Sequence, residues 1–582
     1  MGNNDYNWKI GGQAGEGIDT SGDLMASSLA LHGFNVFTHR EFPSRIRGGY
    51  TSYEVRFGSE TIYCKHDYVD FVVAFDQESI DNTLSELKDN SIIVYNSSSF
   101  ELSIKDKKNM KIFPVPLSDI ASKIGNPIMK NMVSLGVTIA ILEVPEEILI
   151  NGVKERFGKK GEAVVSSNIQ AIKEGIKYVK ENLDTKSGIN KPTLGSTKGK
   201  LSIVAAADAV GLGALVAGCK FYAGYPITPA TEIMEWLVPR MKSWGGTVVQ
   251  AEDELAAINM VLGSCFTGAR AMTATSGPGL DLMTETIGLA SITETPAVII
   301  DVQRAGPSTG MPTKHEDSDL WQAIFSSHGD GNRIVLAAST PENSFIRIQE
   351  AFNYADKYQT PVVLLLDQDL LTSKRSVDIS QMKIIPIDRG KMASEEILSK
   401  NTSMLFKRYG FTEDGISIRT VPSQKNGLFL ATGDEHNEEG SITEKPEVRV
   451  KMMDKRKRKY LTAKKEMEYK NTKYGDKDSE ITLIGFCSAI GPSMEVMEML
   501  KKKGHKVSYV DLSHIWPFPD NFINESLKGS KYNIVIENNQ FEQLKHLIKM
   551  YYQGSLESVT KYDGTPFKPL ELYTKVNEVI RK

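Results

Sequence analysis

Cysteine is scarce in this chain of 582 residues, which has only four. Cys64, Cys219, Cys265 and Cys487 lie far apart and form no C-x-x-C pair, so the spacing that holds structural zinc or an iron–sulfur cluster is absent. We therefore expect no metal ligands on this chain, and four buried free thiols in a reducing cytoplasm.

Long apolar runs and an excess of positive charge are also missing. No apolar run approaches the roughly 20 residues needed to cross a bilayer, and the first residues lack the basic and apolar regions of a signal peptide. A net charge of −4 leaves no broad basic field for nucleic acid. We expect neither a membrane nor a nucleic-acid partner.

The chain is too long for one core, since domains average about 150 residues. Apolar-rich strands alternate with helical segments and turns, which predicts an α/β fold with three α/β domains. These domains span residues 1–182, 200–374 and 479–582. A polar linker at 183–199 and an irregular connector at 375–478 join them.

A glycine-rich segment, Gly11–Gly17, lies between a strand at Trp8 and a helix predicted from Ile18 to His32. This arrangement points backbone N–H groups at a phosphate. The spacing is not G-x-G-x-x-G, however, and the next strand ends in Arg40 and Glu41 without a convincing ribose-binding acid. A phosphate site and a tight turn needed only for packing both stay open.

Three arginines, Arg40, Arg45 and Arg47, lie beside Gly48 and Gly49 in a predicted loop that begins at this strand end. Guanidinium groups and close backbone approach suit a phosphate-bearing ligand. A solvated basic loop is the alternative.

In the second domain, a strand at Phe221–Tyr222 leads into Gly224-Tyr-Pro-Ile-Thr-Pro229. Pro229 suits the first position of a helix, which makes Thr228 a candidate N-cap. Capping explains a threonine there but not the two prolines around it. A ligand role for Thr228 therefore stands beside the capping role.

The segment Gln250–Gly279 organises the chain. A strand (Thr247–Gln250) ends in Glu252-Asp-Glu254, a small-residue helix follows, and a second strand (Arg270–Thr275) ends in Ser276-Gly-Pro-Gly279. Parallel α/β sheets bind ligands at this edge. A carboxylate before a glycine turn suits thiamine diphosphate, whose aminopyrimidine needs a buried acid partner. Alternatively, the three acids merely favour the helix N-terminus.

A strand at Ala297–Val302 ends in Gln303-Arg304 and is followed by a loop rich in Gly, Pro and Thr. An arginine in this place can clamp a small carboxylate bidentately. Gly329-Asp-Gly-Asn332 contains the Gly-Asp-Gly sequence of a diphosphate-binding motif. No β-rich run precedes it and no fitting Asn follows it, so it is not interpreted as such a site. The basic run Lys451–Lys459 is interpreted as a solvated helical face.

Four motifs in order resemble the alpha subunit of 2-oxoacid:ferredoxin oxidoreductases. They are Gly224-Tyr-Pro-Ile-Thr-Pro229, Glu252-Asp-Glu254, Thr275-Ser-Gly-Pro-Gly279 and Gln303-Arg-Ala-Gly-Pro-Ser-Thr-Gly-Met-Pro-Thr313. More closely, the chain is similar to the archaeal two-subunit type, in which a gamma domain is fused in front of the alpha chain. Further matches to the gamma domain and to a transketolase-C-like domain are Gly11–Gly17, Arg45–Gly49, Ile515–Pro519 and Glu537–Gln540.

The resemblance assigns the three domains as a gamma domain on the coenzyme A side, a pyrimidine-binding domain and a transketolase-C-terminal-like domain. It implies that Glu252 is the cofactor-activating glutamate and that Thr228, Glu252 and Arg304 are catalytic. The implied cofactor contacts are Tyr225, Pro226, Ile227, Glu252, Ser276 and Gly277. The implied substrate contacts are Thr228, Arg304 and Thr313. The implied coenzyme A-side residues are Gly15, Gly17, Ser44 and Arg47.

The implied reaction is oxidative decarboxylation of a 2-oxoacid such as pyruvate or 2-oxoglutarate to an acyl-CoA, with ferredoxin as electron acceptor. The resemblance places Mg²⁺ and a [4Fe-4S] cluster on a separate beta subunit, which shares the thiamine diphosphate. Two alternatives remain: an arylpyruvate or indolepyruvate oxidoreductase subunit, and a non-catalytic scaffold of the same fold.

Overall fold

The computed structural model describes residues 5–43, 48–105, 109–185, 191–192 and 201–581. The chain divides into two compact units. The first comprises Met1–Ala205, Thr372–Gln381 and Lys568–Glu571, and the second Ala206–Leu371, Met382–Phe567 and Leu572–Lys582. The domain boundaries expected from the sequence stay predictions.

The strands, in chain order, are β1 (Asp5–Gln13), β2 (Asn35–Glu41), β3 (Tyr50–Gly58), β4 (Val69–Ala74), β5 (Leu87–Asn96), β6 (Lys111–Val115), β7 (Ser202–Ala205), β8 (Cys219–Gly224), β9 (Thr247–Gln250), β10 (Arg270–Thr275), β11 (Ala297–Gln303), β12 (Ile334–Ala337), β13 (Pro361–Asp367), β14 (Lys374–Val377), β15 (Thr472–Gly475), β16 (Ile481–Gly485), β17 (Val507–Asp511), β18 (His514–Trp516), β19 (Tyr532–Glu537) and β20 (Glu557–Thr560).

The α-helices are α1 (Ile18–Leu31), α2 (Gln77–Thr83), α3 (Leu117–Lys123), α4 (Lys130–Leu142), α5 (Glu146–Phe157), α6 (Glu162–Asn182), α7 (Ala206–Val216), α8 (Thr231–Met241), α9 (Glu254–Phe266), α10 (Gly277–Ile292), α11 (Leu320–Phe325), α12 (Pro341–Tyr358), α13 (Gln368–Thr372), α14 (Glu395–Ser399), α15 (Pro446–Met467), α16 (Ile490–Lys501), α17 (Asp520–Leu527), α18 (Gln543–Lys549) and α19 (Pro569–Arg581). Within the described ranges, no helix combines the length and apolar character needed to cross a membrane.

The first unit is built on an eight-stranded mixed sheet in the order β6-β5-β4-β1-β3-β2-β14-β7. β1 lies parallel to β4 and antiparallel to β3, with Trp8 opposite Phe71 and Val55. Helices α4 and α6 pack very closely, since a Cβ at Gly136 would lie 2.0 Å from the Ile172 carbonyl oxygen. Glycine there lets the two backbones meet.

The glycine-rich segment of this unit differs from the expected turn, because β1 continues through Gln13 and the turn comprises only residues 14–17. Gly17 has φ 81°, and a Cβ on it would lie 2.4 Å from Asn131 Nδ2. The Glu16 carboxylate accepts hydrogen bonds from the Gln13 N–H and from Lys130 Nζ. Packing therefore accounts for the glycine at 17, whereas a Cβ at Gly15 would meet nothing within 4 Å.

The second unit contains a seven-stranded sheet in the order β18-β12-β13-β11-β10-β8-β9. All its neighbouring strands from β12 to β9 are parallel, and β18 alone pairs antiparallel with β12. β11 and β13 are buried throughout, as expected for strands covered by helices on both faces. β9 and β10 have the bounds predicted from the sequence.

A five-stranded sheet in the order β15-β17-β16-β19-β20 also belongs to the second unit. β16, β17 and β19 lie within one residue of the strands that the sequence predicts at 481–486, 507–512 and 532–536. With three sheets and flanking helices, the predicted α/β fold class is confirmed. All four cysteines are buried, as predicted.

The prediction of a solvated face for the basic run is wrong on one side of α15, because Lys451 and Lys457 are exposed but the other three cations named below are buried. Lys455, Arg456 and Lys459 are each no more than 5% exposed. Lys455 Nζ lies 2.5 Å and Lys459 Nζ 2.8 Å from the two carboxylate oxygens of Glu294, which is fully buried. Paired with a buried acid, these lysines hold the connector against the core of the second unit.

Candidate active site at the carboxyl edge of the seven-stranded sheet

The predicted site residues of the second unit follow neighbouring parallel strands. Arg304 follows β11, Ser276 follows β10, the Thr228 loop follows β8 and the Glu252–Glu254 cluster follows β9. In the sheet these strands stand in the order β11-β10-β8-β9. Since they are parallel, their carboxyl ends share one edge, which is where α/β sheets bind ligands.

Arg304 fastens two loops of this edge together. Its Nη1 donates a 2.5 Å hydrogen bond to the Thr228 carbonyl oxygen, and its Nη2 donates a 3.2 Å bond to the Thr309 carbonyl oxygen. Its Nε has no hydrogen-bond partner among the described residues, although it is buried. The guanidinium is therefore held in one plane with a donor left over for a ligand.

Burial lowers the pKa of Arg304, and the carboxylates of Asp319 and Glu254 oppose that shift. Only 6% of Arg304 is exposed. A positive charge thus lies in a poorly solvated position beside two acids, where its interaction with an anion is stronger than in water.

Within the Glu252–Glu254 cluster, the buried carboxylate is Glu254 and not Glu252. Glu252 is exposed, whereas Glu254 is 5% exposed. Asp253 caps α9, since its side chain accepts a 2.7 Å hydrogen bond from the Ala256 N–H. The buried acid expected at residue 252 therefore lies two residues further on, at the first residue of α9.

Glu254 lies against the glycine turn that follows β10. A Cβ at Gly279 would lie 2.6 Å from Glu254 Oε1 and 2.0 Å from Thr275 Oγ1. Glu254 can therefore occupy this position only because residue 279 has no side chain.

Ser276 and Gly277 begin α10 at the same edge. The Ser276 hydroxyl is buried and has no hydrogen-bond partner within the described part of the chain. A Cβ at Gly277 would lie 2.7 Å from Asp319 Oδ2. The turn thus presents bare backbone and an unused hydroxyl.

The Tyr225–Thr228 segment differs from expectation in one respect. α8 begins at Thr231 with Ala230 at its N-cap position, so Thr228 does not cap a helix. Tyr225 is 42% exposed, and Pro226, Ile227 and Thr228 are half-buried. With capping removed, the ligand role expected for Thr228 remains a prediction.

Thr313 returns to the start of the loop that follows Arg304. Ala305 N–H donates a 3.0 Å bond to the Lys314 carbonyl, and Met311 N–H donates a 2.9 Å bond to the Ala305 carbonyl. The loop is therefore closed at its base, which brings half-buried Thr313 beside the residues next to Arg304.

Two buried acids, Asp301 and Asp319, were missed in the sequence. Burial raises the pKa of Asp301 well above its usual value, with Asp319 and Asp281 adding to it. Burial and Asp281 likewise raise the pKa of Asp319 to about 7, against the opposing charge of Arg304. Asp301 did leave a signal, because it interrupts the otherwise apolar strand Ala-Val-Ile-Ile-Asp-Val-Gln.

Of the residues expected on the coenzyme A side, Gly15 and Gly17 lie in the turn before α1 of the first unit. Ser44 and Arg47 lie outside the described residues. These four assignments stay predictions.

Three protein-family models match the chain. Residues 7–178 match "Pyruvate ferredoxin/flavodoxin oxidoreductase", residues 212–455 match "Pyruvate flavodoxin/ferredoxin oxidoreductase, thiamine diP-bdg", and residues 479–572 match "Pyruvate:ferredoxin oxidoreductase core domain II". The match that includes the candidate active site is thus to a thiamine-diphosphate-binding family.

Similar proteins extend over the whole chain. The alpha subunit of a 2-oxoacid:ferredoxin oxidoreductase from Sulfolobus sp. is 31% identical over 99% of this chain and 97% of the relative. The 2-oxoglutarate oxidoreductase subunit KorA of Mycobacterium tuberculosis is 28% identical over 96% and 89%.

Among solved structures, the 2-oxoglutarate:ferredoxin oxidoreductase from Magnetococcus marinus superposes with a TM-score of 0.91, 34% identity and full coverage of both chains. It is described with 2-oxoglutarate, coenzyme A and succinyl-CoA bound. The resemblance drawn from the sequence is thereby confirmed, and this chain belongs to the 2-oxoacid:ferredoxin oxidoreductase family, as a relative of its alpha subunits.

Proposed function

We propose that this chain supplies one half of a thiamine-diphosphate site and, with a beta subunit, catalyses the coenzyme A-dependent oxidative decarboxylation of a 2-oxoacid. In that reaction the bond to the carboxylate breaks and releases CO2. A thioester forms with coenzyme A, whose thiol proton is released, and the electron pair passes to ferredoxin. The supporting observation is that Glu254, the Ser276–Gly279 turn, Thr228 and Arg304 share one sheet edge.

The residues at this edge fit the pyrimidine half of the cofactor. Gly279 leaves room for Glu254 where a Cβ would collide with it, and the buried Ser276 hydroxyl has no partner in the described part of the chain. When bound, thiamine diphosphate supplies the nucleophilic carbon that attacks the 2-oxo group. Exposed Tyr225 and half-buried Pro226 and Ile227 offer the adjoining surface.

Glu254, rather than Glu252, is the carboxylate proposed to hold the activating proton. A carboxyl group shares a proton with a ring nitrogen most effectively where water is excluded. Glu254 is buried beside the turn, whereas Glu252 is exposed. Glu252 precedes α9, where its negative charge interacts favourably with the positive N-terminal end of the helix dipole.

Arg304 is the residue proposed to bind the carboxylate of the 2-oxoacid. Its two Nη groups are fixed by the carbonyl oxygens of Thr228 and Thr309, and its Nε is available. Fixing the carboxylate orients the bond that breaks, which lowers the entropic cost of the reaction. Thr228 and Thr313 would then line the same pocket.

The beta subunit is proposed to dock beside Glu254. Leu255 and Met260 of α9 are 43% and 42% exposed, and Leu282 of α10 is 47% exposed. Nothing lies within 4 Å of a Cβ placed on Gly263 of the same helix. An apolar face with a small residue suits close helix packing by a partner. The iron–sulfur cluster is proposed to reside on that partner, since the four cysteines of this chain lie far apart in the sequence. Mg²⁺ is proposed to reside there too, as the family resemblance implies.

Coenzyme A is proposed to bind on the first unit, near Gly15, Gly17, Ser44 and Arg47, as the family resemblance implies. The supporting observation is the Magnetococcus relative, which is described with coenzyme A bound. Its title also names 2-oxoglutarate, so 2-oxoglutarate is the first 2-oxoacid to test.

The test is to co-express the chain with a beta subunit and measure ferredoxin reduction that depends on both 2-oxoacid and coenzyme A. Pyruvate, 2-oxoglutarate and indolepyruvate form the substrate panel. We expect turnover with at least one of the first two. Preference for indolepyruvate would favour the arylpyruvate alternative. No turnover with any substrate, by a complex that holds thiamine diphosphate, would favour the scaffold alternative.

A further inference from the structure

Three metal-binding side chains meet in the interior of the second unit. His315 and Asp317 lie in the segment between β11 and α11, and Asp367 is the last residue of β13. One potential ligand atom from each lies within 4.8 Å of those from the other two. His315 Nδ1 and Asp367 Oδ1 are 3.6 Å apart, too far for a hydrogen bond but close enough for a shared cation.

The side chains of His315 and Asp317 are buried, and their polar atoms have no hydrogen-bond partners among the described residues. They are 1% and 0% exposed. Neither ring nitrogen of His315 and neither carboxylate oxygen of Asp317 has a hydrogen-bond partner among the described residues. Buried polar groups of native proteins nearly always have a partner, so four unpaired atoms in one place point to a missing ligand.

Asp367 is held in place for such a ligand. Its Oδ1 accepts a 2.7 Å hydrogen bond from the Leu370 N–H, and its Oδ2 accepts a 2.7 Å bond from the Ser488 N–H. These bonds orient the carboxylate and leave further lone pairs on each oxygen. Ligands of metal ions are typically oriented in this way by surrounding hydrogen bonds.

The surrounding charge is negative. Asp367, Glu537 and Asp319 place further negative charge around the buried carboxyl group of Asp317. A buried acidic cluster needs either a proton or a cation to compensate it. Because the imidazole of His315 can also ligate a metal ion, a cation can provide this compensation.

We propose that His315, Asp317 and Asp367 bind one divalent cation that accepts both imidazole and carboxylate ligands, Zn²⁺ or Mn²⁺. Ligand atoms about 2.1 Å from such a cation lie at most about 4.2 Å from one another. Small side-chain rotations suffice to reach that geometry from the observed arrangement. This site departs from the expectation, based on cysteine spacing, that the chain holds no metal.

The cation would fix the segment that follows the Arg304 loop. The Asp317 N–H donates a 2.8 Å bond to the Asn538 carbonyl, and Asn539 Nδ2 donates a 3.1 Å bond to the Asp317 carbonyl. A metal joining Asp317 to Asp367 would tie this segment also to the end of β13. Its role is structural, and it does not depend on the proposed reaction.

The test compares metal content by mass spectrometry in the purified complex of the full chain and its beta subunit. His315→Gln and Asp317→Asn are compared with wild type, so metals of the beta subunit cancel in the difference. His546→Gln and Asp330→Asn, on exposed side chains, are the matched controls. We expect both site variants, and neither control, to lose about one equivalent of Zn²⁺ or Mn²⁺ per chain. Equal content in all five proteins would overturn the proposal.

A second measurement uses the wild-type chain, so that the proposal can be tested even if a variant folds poorly. The wild-type full chain, stripped with a chelator, is titrated with Co²⁺ and monitored by visible absorption and melting temperature. We expect one saturating equivalent, without a thiolate charge-transfer band, and a rise in melting temperature. No saturable Co²⁺ binding would overturn the proposal and leave a proton shared by Asp317 and Asp367 as the explanation.

Discussion

Arg304 Nη1 donates a 2.5 Å hydrogen bond to the carbonyl oxygen of Thr228, so the residue after β11 fixes the loop after β8. The two strands are separated by β10 in the sheet. The contact therefore crosses the end of β10, which Ser276 follows. It gives Arg304 two tasks, which are to shape the pocket and to present a guanidinium group to an anion.

Arg304→Lys keeps the charge but loses the planar fork. Since a hydrogen bond to a charged group contributes about 1.5–3 kcal/mol, we expect the KM for the 2-oxoacid to rise about 10- to 100-fold. The KM for coenzyme A should change little. Steady-state kinetics with each substrate varied separately measure both. Arg240→Lys, at an exposed arginine that bonds the Trp236 carbonyl, is the control; equal effects on both KM values would contradict the assignment.

Gly279→Ala tests whether the turn must lack a side chain. The added Cβ would lie 2.0 Å from Thr275 Oγ1 and 2.6 Å from Glu254 Oε1. We expect displacement of Glu254, a loss of about 1–3 kcal/mol of stability and weaker thiamine diphosphate binding. Gly263→Ala on α9, where a Cβ meets nothing within 4 Å, should leave the melting temperature of the full chain unchanged or higher. Similar behaviour of the two variants would refute the steric argument.

Glu294→Gln tests the buried ion cluster with Lys455 and Lys459. Removal of one charge leaves two buried lysines without a counterion, which should cost about 3–5 kcal/mol in the free energy of unfolding. Chemical denaturation of the full chain measures it. In the control Glu396→Gln, an exposed pair with Lys400 at 2.6 Å is broken, and the expected cost is at most about 1 kcal/mol. Comparable costs would show that the buried cluster is not a major anchor.

Asp511 should give stability a pH dependence. Burial raises its pKa to about 6, against the Ser339 hydrogen bond and the charge of Arg347. Because this pKa is higher in the folded than in the unfolded protein, where it is near 4, Asp511 contributes stability to the fold fully at pH values below about 4. This contribution is lost as the pH rises to about 6. Relative to Asp511→Asn, wild type should lose up to about 3 kcal/mol between pH 4 and 7. Denaturation at several pH values measures it; a constant difference would contradict the shift.

The sequence predicts the sheet edge well because the strands are short, apolar and followed by turn residues. β9 and β10 could be delimited from these patterns alone. The sequence alone does not distinguish Glu252 from Glu254, because Glu252 lies just before α9 and Glu254 begins it. The choice depends on Asp253 taking the N-cap position, which turns Glu254 inward.

Other features depend on residues far apart in the chain. Lys455 and Lys459 lie in a run that is typical of a solvated helix, and only their pairing with Glu294 makes burial possible. His315 and Asp317 meet Asp367 because β11 and β13 are parallel neighbours. Local patterns contain no record of such pairings.

The most direct test of the central claim compares Glu254→Gln with Glu252→Gln in the complex with the beta subunit. Both variants remove one negative charge without changing shape. We measure kcat for 2-oxoacid-dependent ferredoxin reduction, with the melting temperature as a check of folding. We predict that Glu254→Gln lowers kcat by at least about 100-fold, as loss of a general acid–base group does, while Glu252→Gln stays near wild type. Full activity of Glu254→Gln together with an inactive Glu252→Gln would contradict the assignment.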